Sequence, residues 1–403
     1  EHVVVGGTEG HDVIFTDLGD DTLWGDGGND YLNAGAGADN VFGGEGDDII
    51  EDPLDDDVLR GEAGNDVVTA ARGIDLLFGG TGKDFIQLGQ DASEAFGGEG
   101  DDFILGGAGG DFLLGNEGDD WMEGAGGFDT LAGDNSELFF NSVLIGHDVL
   151  FGHGDETDYD AESGDDIMGS GPSVFRYEGM FGFDWAIAKY DLTGVDFDMA
   201  IPFFTTDQAD VLRDRFDLVE AFSGWKYDDR LAGDDRGRPL GGLDAILDFD
   251  NHELNEEGIA RIDGMGEWLG MEGAGPSALD TLFGQGTTTF RDGNILMGGA
   301  GNDLFLGRGG FDIIDGDTWL NVRIAIHARN PDGSLGAEIY TAESLTTETS
   351  FMGPYAAKVF AAGTDLSLPG PHAPLFDGRS LQSLLKDGTI NPGQLKIVRE
   401  LKQ

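Results

Sequence analysis

From Gly7 to Asn141 the chain repeats every nine residues without a slip of frame, and such a period points to a solenoid. Fifteen blocks fit, among them Gly43-Gly-Glu-Gly-Asp-Asp48-Ile-Ile50-Glu51 and Gly79-Gly-Thr-Gly-Lys-Asp84-Phe-Ile86-Gln87. The sixth position is Asp in thirteen blocks, the fourth is Gly in twelve, and the eighth is apolar in all fifteen, from Ile14 to Phe140. Each block divides into a six-residue turn and a three-residue strand. Glycine supplies the left-handed φ and close backbone approach of a tight turn. In the strand only the middle residue points inward, because side chains alternate. Two blocks make one coil, so residues 18 apart stack. One edge then carries Asp12, Asp30, Asp48, Asp66, Asp84, Asp102 and Asp120. The other carries Asp21, Asp39, Asp57 and Asp75 and, after a break, Asp111 and Asp129.

Stacked carboxylates repel one another unless a cation lies between them. Hard cations take oxygen ligands, and Ca²⁺ accepts six to eight in a flexible shell. The pattern G-G-x-G-x-D-x-U-x resembles the calcium-binding repeat of RTX (haemolysin-type) proteins, whose repeats wind into parallel β-rolls. The resemblance implies one ion between successive turns of an edge, held by a sixth-position carboxylate from each turn and by turn carbonyls. Adjacent Asp pairs then predict about ten ions. Asp serving only as a turn former in a solvated loop does not explain thirteen in frame. Two blocks break the pattern: Leu88–Phe96 with Asp91, Ser93 and Ala95, and Gly133–Asn141 with Ser136 and Leu138. Block Asp52–Arg60 keeps Asp57 and Leu59, but Pro53 and Asp55 replace glycines, which predicts a turn of different shape.

The formal net charge is −57, from 79 acidic and 22 basic residues, so nucleic acid and anionic membranes are excluded as partners. The acidity is periodic rather than blocky, which again favours bound cations over a disordered tail. Cysteine is absent, and no apolar run is long enough to span a bilayer. Glu1 opens almost on a repeat, without a signal segment, and the chain closes mid-element, as a piece of a longer protein would.

After one inserted residue the frame resumes at Val143, with Asp148, Asp166 and Asp184 again 18 apart and Thr157 and Phe175 at the intervening sixth positions. Calcium is expected there on one edge only. Val195, Phe197, Met199 and Ile201 alternate as a strand would; residues 206–219 read as helix or loop. Gly224–Ala232 is a degenerate repeat. Ile246, Leu254, Ile259, Ile262 and Trp268 are spaced for short helices. A last array places Asp303 and Asp312 at sixth positions. Beyond it come an alternating strand from Leu320, a turn at Asn330-Pro-Asp-Gly333, a return strand over Ala337–Ala342, helices near Pro354–Ala362 and Ser380–Lys386, and a strand over Lys396–Leu401. The expected fold is mainly β, a parallel β-roll with α+β inserts and a small C-terminal α+β segment. The roll covers 1–141 and continues one-sided over 142–187; an insert spans 188–288, a short roll 289–317, and hairpin and helices 318–403.

No nucleophile elbow, H-E-x-x-H, C-x-x-C or Walker A motif is present, and no catalytic or cofactor-binding residue is assigned. The seven histidines read as surface or turn residues, and Trp185, Trp225, Trp268 and Trp319 as packing rather than a ligand platform. Beyond Ala161 the chain resembles the non-catalytic region of large secreted bacterial haem peroxidases of the animal type. The matching motifs are Gly164-Asp-Asp-Ile-Met-Gly-Ser-Gly-Pro172, Gly179-Met-Phe-Gly-Phe-Asp-Trp185, Asp214-Arg-Phe-Asp-Leu-Val-Glu-Ala-Phe-Ser-Gly-Trp225, the stretch Gly307–Arg323 and Asn391-Pro-Gly-Gln-Leu-Lys-Ile-Val-Arg-Glu400. The haem-binding His and Arg motifs of that family have no counterpart. The resemblance implies export by a type I system, with calcium ions and other domains of a parent chain as partners. An adhesive or matrix spacer stiffened by calcium at a cell surface is the alternative.

Overall fold

A computed structural model of the chain describes residues 2–134, 146–154, 156–201, 205, 210, 212–235, 252–272, 275–330, 333–347, 350–351 and 379–403. Ser136, Leu138, Ile246 and the helix expected near Pro354–Ala362 lie outside the described residues. The chain divides into two compact units, Glu1–Glu123 with Val322–Val398, and Gly124–Asn321 with Arg399–Gln403.

In the first unit the nonamers wind into a parallel roll. Strands Val4–Thr8, Thr22–Gly27, Asn40–Glu45, Val58–Ala63, Leu76–Thr81, Glu94–Glu99 and Phe112–Glu117 stack in one sheet. Strands Val13–Phe15, Tyr31–Asn33, Ile49–Asp52, Val67–Ala70, Phe85–Gln87, Phe103–Leu105 and Trp121–Glu123 stack in the other. Every register is a shift of 18, as in Leu23↔Val41, Val41↔Leu59 and Ile50↔Val68. The eighth-position side chains Leu23, Val41, Leu59, Leu77, Ala95 and Leu113 face Leu32, Ile50, Val68, Ile86, Ile104 and Met122, all fully buried. That double row is the core. Outside it, Trp24 stacks on Phe42 at 5.7 Å and Phe78 on Phe96 at 5.1 Å, with the Arg60 guanidinium between Phe42 and Phe78.

The same unit holds an antiparallel hairpin. Trp319–Arg329 pairs with Leu335–Ala342, and Asn330 and Gly333 close the turn through the Gly333 N–H to the Asn330 carbonyl at 2.9 Å. Leu335–Ala342 begins two residues earlier than the sequence predicts. The helix Leu381–Lys386 buries Leu381, Leu384 and Leu385, and the last strand is Leu395–Lys402.

In the second unit the roll runs further than the alternation of residues suggests. Val149–Phe151, Ile167–Gly169, Trp185–Ile187, Ala221–Ser223, Ile295–Met297 and Ile313–Asp315 share one sheet. Asp129–Ala132, Thr157–Asp160, Phe175–Glu178 and Arg215–Asp217 share another, and Asp196–Asp198, Arg230–Ala232 and Leu304–Leu306 a third. Residues 215–217, expected as helix or loop, are therefore a coil strand. The extra chain is looped out between coils: Trp185 pairs with Ala221, and Ala221 with Ile295. The strand expected around Val195–Ile201 shortens to Asp196–Asp198, the three residues that pair with Arg230–Ala232. Helices Glu256–Arg261, Met265–Trp268 and Ala278–Phe283 lie in the loop, the third opened by a Ser277–Asp280 capping box.

Asp129 pairs with Thr157, 28 residues on instead of 18. Gly133 stands against Oδ2 of Asp148, the place a first-position glycine takes against the Asp of its own turn. The Gly146 N–H donates to both Asp134 oxygens at 3.1 Å.

Candidate metal centres

The sixth-position carboxylates stand in two ladders in the first unit. Oδ1 of each Asp accepts the backbone N–H of its counterpart one coil earlier: Asp12 to Asp30 at 2.7 Å, Asp48 to Asp66 at 2.8 Å, Asp66 to Asp84 at 2.7 Å and Asp102 to Asp120 at 2.6 Å. The second edge repeats this from Asp21 to Asp39 at 2.6 Å, Asp39 to Asp57 at 2.8 Å and Asp57 to Asp75 at 3.0 Å. At the break, Ser93 keeps the ladder but not the charge. Its Oγ takes the Asp75 N–H at 3.0 Å, and its N–H reaches Asp111 at 2.9 Å.

Oδ2 is the functional atom. In Asp21, Asp30, Asp39, Asp48, Asp57, Asp66, Asp75, Asp84 and Asp102 it is buried and accepts no hydrogen bond. The same holds for Asp166 and Asp184 in the second unit. A buried oxygen left so is costly and calls for a partner. Desolvation is the largest cause raising these carboxyls: Asp48, Asp57 and Asp84 to about 7, Asp66 to about 9, and Asp102, Asp166 and Asp184 well above the ordinary value. Asp12 differs, since Thr8 donates its N–H and hydroxyl to Oδ2 at 2.7 and 2.8 Å; Asp111 Oδ2 takes the Gly107 N–H at 2.7 Å.

The first edge fits calcium. A Cβ built on Gly43 would lie 2.5 Å from Asp48 Oδ2 and 2.5 Å from the Gly61 carbonyl, so carboxylate and carbonyl converge on one point. A side chain there would clash with both oxygens, and carboxylate and carbonyl oxygens are the ligand types calcium takes. Gly25, Gly61, Gly79 and Gly97 mark the same cradle, each between its own Asp and the carbonyl of the next coil. On the second edge the first position carries a side chain in Thr16, Ala34, Asp52, Ala70 and Leu88, all buried. The two edges are thus unequal, which the sixth position alone does not reveal.

In the second unit Asp148, Asp166 and Asp184 form a ladder, and the Asp184 N–H donates to Glu220 Oε2 at 2.8 Å. Asn294 then donates to Asp312 at 3.0 Å and Asp229 to Asp303 at 2.9 Å. Thr157 and Phe175, buried at the opposite sixth positions, leave no carboxylate there, and Phe175 stacks at 5.8 Å on Tyr159. Asp129 is also fully buried, beside Gly124. Asp214, Glu220 and Asp229 also occupy ladder positions, outside the regular nine-residue frame or in its degenerate repeat; Asp214 accepts the Phe175 N–H at 2.9 Å. Their signal was an acid two residues before a buried Phe or Leu, in Asp214-Arg-Phe216, Glu220-Ala-Phe222 and Asp229-Arg-Leu231. Asp12, Asp303 and Asp312 are half-buried, so the ladders loosen there.

His147 is a fifth-position turn residue, as expected, and both it and His252 are half-buried. His147 accepts the Asp165 N–H at 2.8 Å, and burial, with Arg261 and Arg399 nearby, pushes its pKa down to about 3. His252 Nδ1 lies 3.3 Å from Glu220. His11 behaves as a fifth-position turn residue, taking the Asn29 N–H at 2.7 Å. Trp185 is core; Trp225 carries Lys226 over its ring.

No helix among the described residues is long and apolar enough to cross a membrane. No curated protein matches the chain. A family model, the RTX calcium-binding nonapeptide repeat, matches residues 6–41, 25–51, 42–77, 54–86, 71–92, 96–131 and 289–318. Those matched stretches lie within the coils described above, and over them the chain carries RTX calcium-binding nonapeptide repeats wound into a parallel β-roll.

Proposed function

We propose that the chain is a module that folds on binding calcium outside the cell and serves as the non-catalytic scaffold of a larger secreted haem peroxidase. The observation that carries the calcium part is the row of buried Oδ2 atoms without a hydrogen bond, each facing a carbonyl of the next coil on the first edge. Cytosolic calcium is too low to fill extracellular-type sites with Kd of roughly 10⁻⁴–10⁻³ M, whereas millimolar calcium outside fills them. Binding and folding are then one equilibrium, which suits passage through a type I exporter as an unfolded chain. Each ion lies between the sixth-position carboxylates of successive turns. Native mass spectrometry in millimolar calcium should show about ten or more bound ions; a chain without bound calcium overturns the reading.

The peroxidase part rests on the motifs between Gly164 and Glu400, and it assigns this chain no catalytic residue. Its test is the full-length secreted product. A Soret band and peroxidase turnover are expected, and a haem-free product built of further repeats would replace the scaffold with an adhesive spacer.

A further inference from the structure

One turn of the second edge carries something the others lack. Asp52 stands at the first position, where the neighbouring coils of that edge have Ala34 and Ala70. Its strand, Ile49–Asp52, delivers the side chain inward, and it is only 3% exposed. Oδ1 accepts the Leu54 N–H at 3.1 Å; Oδ2 is buried and accepts nothing. One carboxylate oxygen from each of Asp39, Asp52 and Asp57 lies within 4.8 Å of the others. All three side chains are buried, and Oδ2 of all three is without a hydrogen bond. Arg60, the one cation of the block, cannot serve as their counter-ion. Its guanidinium bonds Asn40 at 2.7 Å and lies over Phe42 on the outer face.

We propose that Asp39, Asp52 and Asp57 form a three-carboxylate calcium site on the second edge, with Asp52 as a ligand from the first position of the turn. The proposal rests on the calcium reading of the roll and goes beyond it. In the adjacent coils Ala34 and Ala70 bring a Cβ and no oxygen, so those sites have two carboxylates and less room. Here the same position brings a third charge. Affinity for a hard cation rises with ligand charge and with rigidity, and burial on a closed coil supplies the rigidity. This site fills before its neighbours on the edge and holds its ion at the lowest free calcium.

The experiment compares the full chain with its Asp52→Ala and Asp52→Asn variants by native mass spectrometry across buffered free calcium, with circular dichroism in parallel. Alanine is what the adjacent coils carry, so Asp52→Ala is compatible with the turn. The wild type should retain an ion at free calcium about tenfold below the main transition. Both variants should lose that early ion while keeping a calcium-dependent β signal, and the saturated count of Asp52→Ala should equal the wild type, because the Asp39–Asp57 pair remains as in the adjacent coils. Variants that fill in the same order and at the same free calcium as the wild type overturn the Asp52 ligand and leave the roll intact. Absence of calcium from wild type and variants alike overturns the calcium reading itself. If Asp52→Ala stays disordered at all calcium levels, Asp52→Asn decides by the same two readouts.

Discussion

In EDTA at neutral pH the chain should lose most of its β circular dichroism and regain it on addition of millimolar calcium, with a cooperative midpoint. The cause is electrostatic. The ladders bring carboxylates such as Asp48, Asp66 and Asp84 into a buried row whose Oδ2 atoms lack hydrogen bonds. Without a cation each must stay charged and desolvated or take up a proton. The second route sets the pH dependence. Carboxyls such as Asp48, Asp57 and Asp84 are raised from 3.8 to about 7, and Asp66 to about 9, chiefly by burial. The folded apo chain therefore binds more protons than the unfolded one. That stabilisation is complete below about pH 4 and is lost as pH rises through 7 to 9. In EDTA, acidification to about pH 4 should thus restore part of the β signal that is missing at pH 8. A chain as ordered in EDTA at pH 8 as in calcium would remove the coupling between ion and fold.

Asp84→Asn should cost more than any single surface change. Asp84 is fully buried and sits between Asp66 and Asp102, so it serves the sites above and below. Asparagine can still accept the Asp66 N–H, so the turn remains possible and the loss falls on the ions. Two fewer ions are expected by native mass spectrometry. At calcium 100-fold above Kd each ion contributes about 2.7 kcal/mol, so the pair is worth roughly 5 kcal/mol and the calcium midpoint should rise severalfold. Asp17→Asn, a similar change of charge at an exposed residue off the ladder, should leave count and midpoint unchanged. Equal behaviour of the two variants would show that Asp84 holds no ion.

Much of this was legible before any coordinates. A nine-residue period with an inward eighth residue admits one winding, because Leu23, Val41 and Leu59 can share a core only if residues 18 apart stack. The sixth-position Asp ladders, the loss of charge at Ser93 and the one-sided run at Asp148, Asp166 and Asp184 follow from the same spacing. Where loops intervene the spacing stops informing. Asp214, Glu220 and Asp229 sit on ladders only because distant coil strands pair across the looped-out chain.

The linear pattern determined the repeat, its handover of side chains to core and edge, and the class of ion, since these depend on residues a fixed distance apart. Tertiary structure alone decided two things. It decided that Gly133 stands against Asp148, where a first-position glycine meets the Asp of its own turn. It also decided that Asp52 meets Asp39 and Asp57. The reason is common to both. A carboxylate's partner is set by where a closed coil returns in space, and only the stacked coils state that distance.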